Sequence, residues 1–404
     1  MEPRPFTRSF TQQEPISEEG IAAAVQVLRS GRLHRYNTVG DELSEAALLE
    51  REFANYQGSR YALACGSGGY ALHVALRAAG LQPAEPVLTN AFTLAPVPGA
   101  IVNAGGKPVF VEITRDLVLD LDDLDRKADE SGARFMVLSY MRGHMPDMDA
   151  LAALAARRGL ALIEDCAHTM GASWSGRKSG AWGLAGCFST QTYKHLNSGE
   201  GGLIVSDDSD FMARAILMSG SYMLYERHGA APESAAFSEI RLDVPNLSGR
   251  MDNLRAALLR AQLPRLEENV ARWNERYRTV ETRLRSIKGI YLPDRPAQEH
   301  FVGSSIQFMF PNISGEDARA FLGACASLGV EINWFGNAEP KGFTSTYRNW
   351  RYLDPQVLPR TDAILSGLFD MRMPLPFSVA DCEHVGQIIA ASAARVFSKV
   401  RVDE

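Results

Sequence analysis

The chain has 404 residues, 46% hydrophobic and 22% charged, and 42 Lys plus Arg against 48 Asp plus Glu give a net charge of −6. That length allows two domains and a substantial core. The mild acidity and lack of a long Lys/Arg block argue against a nucleic-acid partner, and no apolar run reaches the roughly 18 residues of a membrane span.

The N-terminal MEPRPFTRSFTQQEP has no apolar segment behind its arginines, so no secretory signal is expected. Residues 17–30 predict a helix, with Ser17 as N-cap and Gly31 as stop. A second helix is expected from Glu42 to Tyr56, ending at Gly58. Strands are then expected at 60–65, 86–89, 108–113, 134–139, 160–165, 186–190 and 202–206. Helices at 70–80 and at Met148–Arg158 separate some of them. Apolar strands joined by helices predict a mostly parallel sheet covered on both faces. Such sheets bind ligands beyond the C-terminal ends of their strands. After Pro245 the texture changes, and 251–287 reads as a long amphipathic helix bent at Pro264. It leads to a smaller region where 304–313 and 330–335 predict strands around a helix at 315–329. The expected division is a large domain over 1–250, a bridging helix over 251–287 and a small C-terminal domain over 288–404. Cys65, Cys166, Cys187, Cys325 and Cys382 form no CxxC pair. Free thiols, a cytoplasmic location and no metal site are expected.

The densest chemistry lies between Leu160 and Asp208. Asp165 ends an apolar strand, and Lys194 follows in the uncharged turn TQTYKHLNSGEGG. Alone, a loop lysine is a solvated charge and a strand-end acid is a cap. Together they suit a pyridoxal phosphate (PLP) site. The acid keeps a pyridine nitrogen protonated, and the amine joins the aldehyde at the other end of the ring. The phosphate needs backbone N–H donors at a helix start, which Gly66, Ser67, Gly68 and Gly69 supply between a strand and the helix from Tyr70. Ser189, five residues before Lys194, adds a hydroxyl.

These segments resemble the DegT/DnrJ/StrS family of sugar aminotransferases, from about Glu18 to the last helix. The phosphate turn is similar over Ser67-Gly68-Gly69-Tyr70-Ala71-Leu72-His73, and the acidic segment over Glu164-Asp165-Cys166-Ala167-His168. The lysine segment is similar from Phe188-Ser189 through Lys194 to Gly199-Glu200-Gly201-Gly202, and a helix from Arg250-Met251 to Gln262-Leu263. The resemblance implies a three-layer α/β/α fold of type I, with a seven-stranded mostly parallel sheet and a smaller α+β C-terminal domain. It implies Lys194 as the Schiff-base lysine, Asp165 as the pyridinium partner, and Ser67, Gly68, Gly69 and Ser189 around the phosphate. It also implies a homodimer with shared active sites.

Several positions depart from the family pattern. His168 stands where the family has Gln near the cofactor hydroxyl, and Gly69 where it has a phosphate-binding Thr. The partner-chain Asn falls on Ser248, with Asn246 two residues away as a substitute. The aromatic that stacks on the ring aligns with Phe92 or Leu94; Phe92 is favoured because a ring face stacks better than a branched alkyl. Arg142 and His144 follow a strand end, where structural roles are the stronger reading. Trp334, Trp350 and Arg351 offer either a sugar-binding mouth or packing, and His195 is given no role. The expected reaction is ping-pong amino transfer from glutamate or glutamine to a keto-sugar, keto-cyclitol or related intermediate. A dehydratase, epimerase or decarboxylase on the same scaffold is the alternative, although related dehydratases replace the lysine by histidine. A non-catalytic PLP-binding regulatory module is the further one.

Overall fold

The computed structural model describes residues 3–397. Thirteen strands form among them: β1 (Tyr61–Cys65), β2 (Pro86–Asn90), β3 (Lys107–Val111), β4 (Phe135–Ser139), β5 (Ala161–Asp165), β6 (Ser173–Trp174), β7 (Arg177–Lys178), β8 (Ala185–Ser189), β9 (Gly202–Ser206), β10 (Glu299–His300), β11 (Ser305–Met309), β12 (Asn333–Trp334) and β13 (Leu368–Arg372). Seven build the main sheet in the order β1-β9-β8-β5-β4-β2-β3. Only β9 runs against the rest. Alternation along each strand feeds two cores. In β1, Ala62 and Ala64 enter the core on one face while Leu63 and Cys65 enter the core on the other. Helices cover both faces, so the expected α/β/α layering forms.

Helix ends follow local capping chemistry. The helix Glu18–Ser30 starts where Ser17 Oγ accepts from Gly20 N and stops at Gly31, whose φ of 69° is left-handed. The second helix begins at Glu45 rather than Glu42, because Ser44 Oγ caps it by accepting from Ala47 N. The stretch at 251–287 forms Asn253–Gln262 and Leu266–Arg285 around a tight turn at Leu263–Arg265, where Pro264 interrupts the ladder.

Beyond residue 288, β11, β13 and β12 form a second, antiparallel sheet around its own aromatic core, which includes Phe308, Phe321 and Phe369. The expected strand at 330–335 shrinks to β12, since only Asn333 and Trp334 pair with β13. The domain ranges expected over 1–250 and 288–404 extend to residues 1–2 and 398–404, which lie outside the described residues.

Candidate active site

The C-terminal ends of β4, β5 and β8 meet around the expected residues. Glu164 and Asp165 point to opposite faces of β5 and do different jobs. Glu164 is fully buried and accepts from Tyr140 Oη at 2.6 Å and from the backbone N–H groups of Gly180, Trp182 and Gly183 at 2.7–2.8 Å. It pins the loop ahead of β8. Asp165 keeps an accessible face. Its Oδ2 accepts from Ser139 Oγ at 2.9 Å and its Oδ1 from Ala167 N at 3.2 Å. Burial raises the pKa of this carboxyl, and among the described residues no cation bonds to it. A pyridinium nitrogen is the kind of partner such an acid lacks.

The turn after β8 holds Lys194. Thr190 N donates to Gly201 O, Ser198 N donates to Thr190 O, and Gln262 brackets Asn197 with bonds of 2.9 and 2.8 Å. The Gly-Glu-Gly-Gly run has steric causes. Gly199 sits at a left-handed φ of 78°, and a Cβ on Gly202 would overlap the Ser67 carbonyl. Lys194 Nζ lies 2.8 Å from His168 Nε2. Arg142 N donates to His168 Nδ1 at 3.2 Å. That bond assigns the ring proton to Nε2, which then donates to the lysine lone pair. The pairing therefore favours the neutral amine of Lys194 over its cation. Burial, and then the Arg142 charge, lower the lysine pKa to about 8, and burial drives that of His168 well below its usual range.

Ser67 Oγ caps the helix Gly68–Ala78 by accepting from Tyr70 N, which leaves the first N–H groups facing outward. Gly68 lies against Ser189, and a Cβ there would come within 2.8 Å of Ser189 Cβ. The turn and Ser189 therefore form one cradle. Gly69 contributes only backbone, as its sequence implies. Lys194, His168, Asp165, Ser189 and the 67–69 turn thus cluster, and the set suits a ring with a phosphate at one end.

One expectation changes. Phe92 is 1% exposed and packs edge-on against Phe335 at 5.3 Å, while Leu94 lines the cavity at Lys194. Phe92 therefore presents no free ring face. Asn90 Nδ2 donates to Phe92 O at 2.8 Å, which fixes the backbone of the chain just after β2. Asn246 and Ser248, expected to serve the site of a partner subunit, bond to each other on an exposed loop and do not line this chain's own cavity. Trp334, Trp350 and Arg351 also lie elsewhere.

The cavity beside Lys194 measures about 330 Å³ and takes in residues that sequence reasoning missed or underrated. Arg142, Arg372, Tyr193, Trp273 and Phe343 all line it. Tertiary packing gathers them from distant segments, so no local spacing announces them.

Residues 14–390 match the sequence model of the DegT/DnrJ/EryC1/StrS aminotransferase family. The chain belongs to that family. As a DegT/DnrJ/EryC1/StrS protein it is a PLP-dependent aminotransferase of fold type I. A pleiotropic regulatory protein of Geobacillus stearothermophilus is 32% identical over 271 residues, 66% of this chain and 66% of that protein. A GDP-perosamine synthase of Caulobacter vibrioides is 33% identical over 224 residues, 55% of this chain and 57% of that protein. The chain thus spans just under two thirds and just over half of these relatives. The crystal structure of 3-amino-5-hydroxybenzoic acid synthase superposes with a TM-score of 0.81 at 25% identity, covering 98% of this chain and 100% of that one.

Proposed function

We propose that this chain transfers an amino group from glutamate or glutamine to a keto-sugar, keto-cyclitol or related biosynthetic intermediate, in two half-reactions at one site. The observation that carries the proposal is the pairing of a neutral His168 with the Lys194 amine, across from Asp165, an acid whose hydrogen-bond donors among the described residues are uncharged. The name of the Caulobacter relative, GDP-perosamine synthase, supports a sugar acceptor.

PLP, when bound, supplies a carbonyl that takes up the amino group and a ring that accepts an electron pair from the substrate carbon. Asp165 would face the ring nitrogen and stay ionised against it. The 67–69 N–H groups and Ser189 would hold the phosphate. His168 would donate from Nε2 to the ring hydroxyl. Lys194, displaced by the amino donor, would take a proton from the substrate carbon and return it to the carbon on the far side of the transferred nitrogen. An amine pulled down to about 8 suits both directions of that transfer near neutral pH. Leu94, in place of an aromatic, would cover the ring.

Within the same proposal the protein is a cytoplasmic homodimer with the expected division at 250 and 287. All five cysteines are buried free thiols, which agrees with a reducing compartment. Among the described residues no helix is long and apolar enough to cross a membrane. Tyr222, Met223, Leu242 and Leu247 are exposed close to Asn246 and Ser248, a surface suited to a second copy. Sedimentation should give twice the 44.3 kDa chain mass, and a monomer at working concentration would refute the shared site.

Mixing the PLP-loaded protein with L-glutamate tests the reaction. The visible band of the lysine-bound cofactor should bleach as one equivalent of keto acid is released. The Lys194→Ala protein should lose roughly 100-fold to 10,000-fold in rate. A band unmoved by every amino donor would contradict amino transfer.

A further inference from the structure

The phosphate turn is gripped by a distant glycine. Gly66 N donates to Gly249 O at 2.8 Å, and Gly249 N donates to Tyr70 Oη at 3.1 Å. Both backbone polar groups of Gly249 therefore serve the turn that starts the helix Gly68–Ala78. Cys65 and Arg250 add an antiparallel bridge one residue further out. Tyr70 Oη also donates to Met218 O at 3.3 Å, a carbonyl that accepts from Leu247 N at 2.8 Å. One half-buried tyrosine thus joins the phosphate helix, the end of the helix Ser209–Gly220 and the segment 247–249.

Sterics make the pairing exclusive. A Cβ on Gly249 would overlap the Tyr70 ring, so tyrosine at 70 requires glycine at 249. The preceding residue, Ser248, sits at a left-handed φ of 51°, which costs a non-glycine residue about 1 kcal/mol or more. Such a bend persists only where its surroundings hold it. Asn246 Oδ1 accepts from Ser248 N at 2.8 Å, and Arg250 Nη1 donates to Gly220 O at 2.9 Å. The segment is thereby a fixed post against which the Tyr70 ring rests.

Tyr70 is fastened at its backbone too. Its N–H donates to Ser67 Oγ at 3.0 Å, which leaves the N–H groups of Gly68 and Gly69 for the phosphate. Gly69 brings no hydroxyl, so the cradle depends on the direction of those N–H groups. A hydrogen bond weakens steeply as its angle closes.

We infer that Tyr70 is a positioning residue for the cofactor phosphate: it latches the turn 66–69 to Gly249 and so aims the Gly68 and Gly69 N–H groups. This role goes beyond amino transfer and rests on the phosphate lying at this turn.

Binding of PLP and of pyridoxal, which lacks the phosphate, to cofactor-free protein separates aim from packing. Wild type should hold PLP more tightly than pyridoxal. Tyr70→Phe keeps the ring and loses the hydroxyl; it should weaken PLP about two- to tenfold and leave pyridoxal unchanged. The visible band of lysine-bound pyridoxal then also shows that the variant is folded around a working Lys194. Gly249→Ala should weaken PLP about tenfold, yet have no further effect in Tyr70→Ala, where the ring is gone. Wild-type PLP binding in Tyr70→Phe, or an equal loss of PLP and pyridoxal, would reduce Tyr70 to packing and overturn the latch. Gly249→Ala acting as strongly without the ring as with it would overturn it as well. Wild-type protein that holds pyridoxal as tightly as PLP would remove the phosphate cradle and the latch together, while bleaching by L-glutamate would still report amino transfer.

Discussion

The amine of Lys194 sits among charges that decide its chemistry. Burial, Arg142 and Arg372 all disfavour its cation, and only Asp165 among its charged neighbours favours it. Its folded pKa of about 8 lies below the ordinary 10.5, so the neutral form appears at lower pH than for a solvated lysine. The rate at which cofactor-free protein captures PLP should therefore rise with pH up to about 8 and level off above it. In Arg372→Met the midpoint should move upward, because a positive neighbour is gone. A wild-type rate still climbing beyond pH 10 would contradict the buried, neutral amine. Lys194 and Asp165 were legible in the sequence because a strand end and a glycine-rich turn fix each of them locally. Arg142 follows a visible strand end, and the structure gives it a buried ion pair with Asp370, whereas nothing local marks Arg372. A lone arginine carries no periodic signal, and its value here comes from Phe343, Tyr193 and Asp370, which only the fold brings near.

At the level of elements, the short segments that hold the cofactor cradle follow steric rules that a sequence displays openly. Glycines in GSGG and GEGG mark close backbone approach, and the structure places Gly202 against Ser67 and Gly68 against Ser189. Gly202→Ala should force β9 away from the helix Gly68–Ala78, destabilising the protein by about 1–3 kcal/mol and weakening PLP retention. Urea unfolding and a PLP dissociation constant check both, and wild-type values in each would show that the contact is tolerant. Strands with apolar runs were equally readable, since burial on both faces leaves no polar alternation to confuse them. The missed strand is instructive. In β13, Leu368-Phe369-Asp370-Met371-Arg372, two charged residues break the apolar pattern: Arg372 lines the cavity beside Lys194, and Asp370 pairs with Arg142 behind it. Function disturbed the periodicity by which a strand is recognised.

The whole molecule is fastened by a buried polar cluster that carries no catalytic signal. Arg35 and Glu50 have no exposed side-chain surface and pair at 2.9 Å. His228 and the Ala64 N–H also meet Glu50, and Tyr36 Oη lies 2.7 Å from His228 Nε2. The cluster ties the second helix, β1 and the segment after the helix Ser209–Gly220 together. It was invisible in the sequence because its members are scattered over almost 200 positions. Burial opposes the charge on Glu50, but Arg35 and His228 outweigh it and lower its pKa from 4.5 to about 2. Its folded pKa is depressed, so its contribution is complete above about 4.5 and disappears as pH falls toward 2. The urea midpoint should therefore decline across that window, and less steeply in Glu50→Gln. Identical acid profiles for the two proteins would remove Glu50 from the account of stability.

One covalent test reaches the centre of the proposal. Purified protein loaded with PLP can be treated with borohydride, digested and mapped by mass. The reduced cofactor is predicted on Lys194 alone, and Asp165→Asn should retain far less of it. Label on another lysine, or none on the peptide containing residue 194, would contradict the site from which the whole mechanism is built.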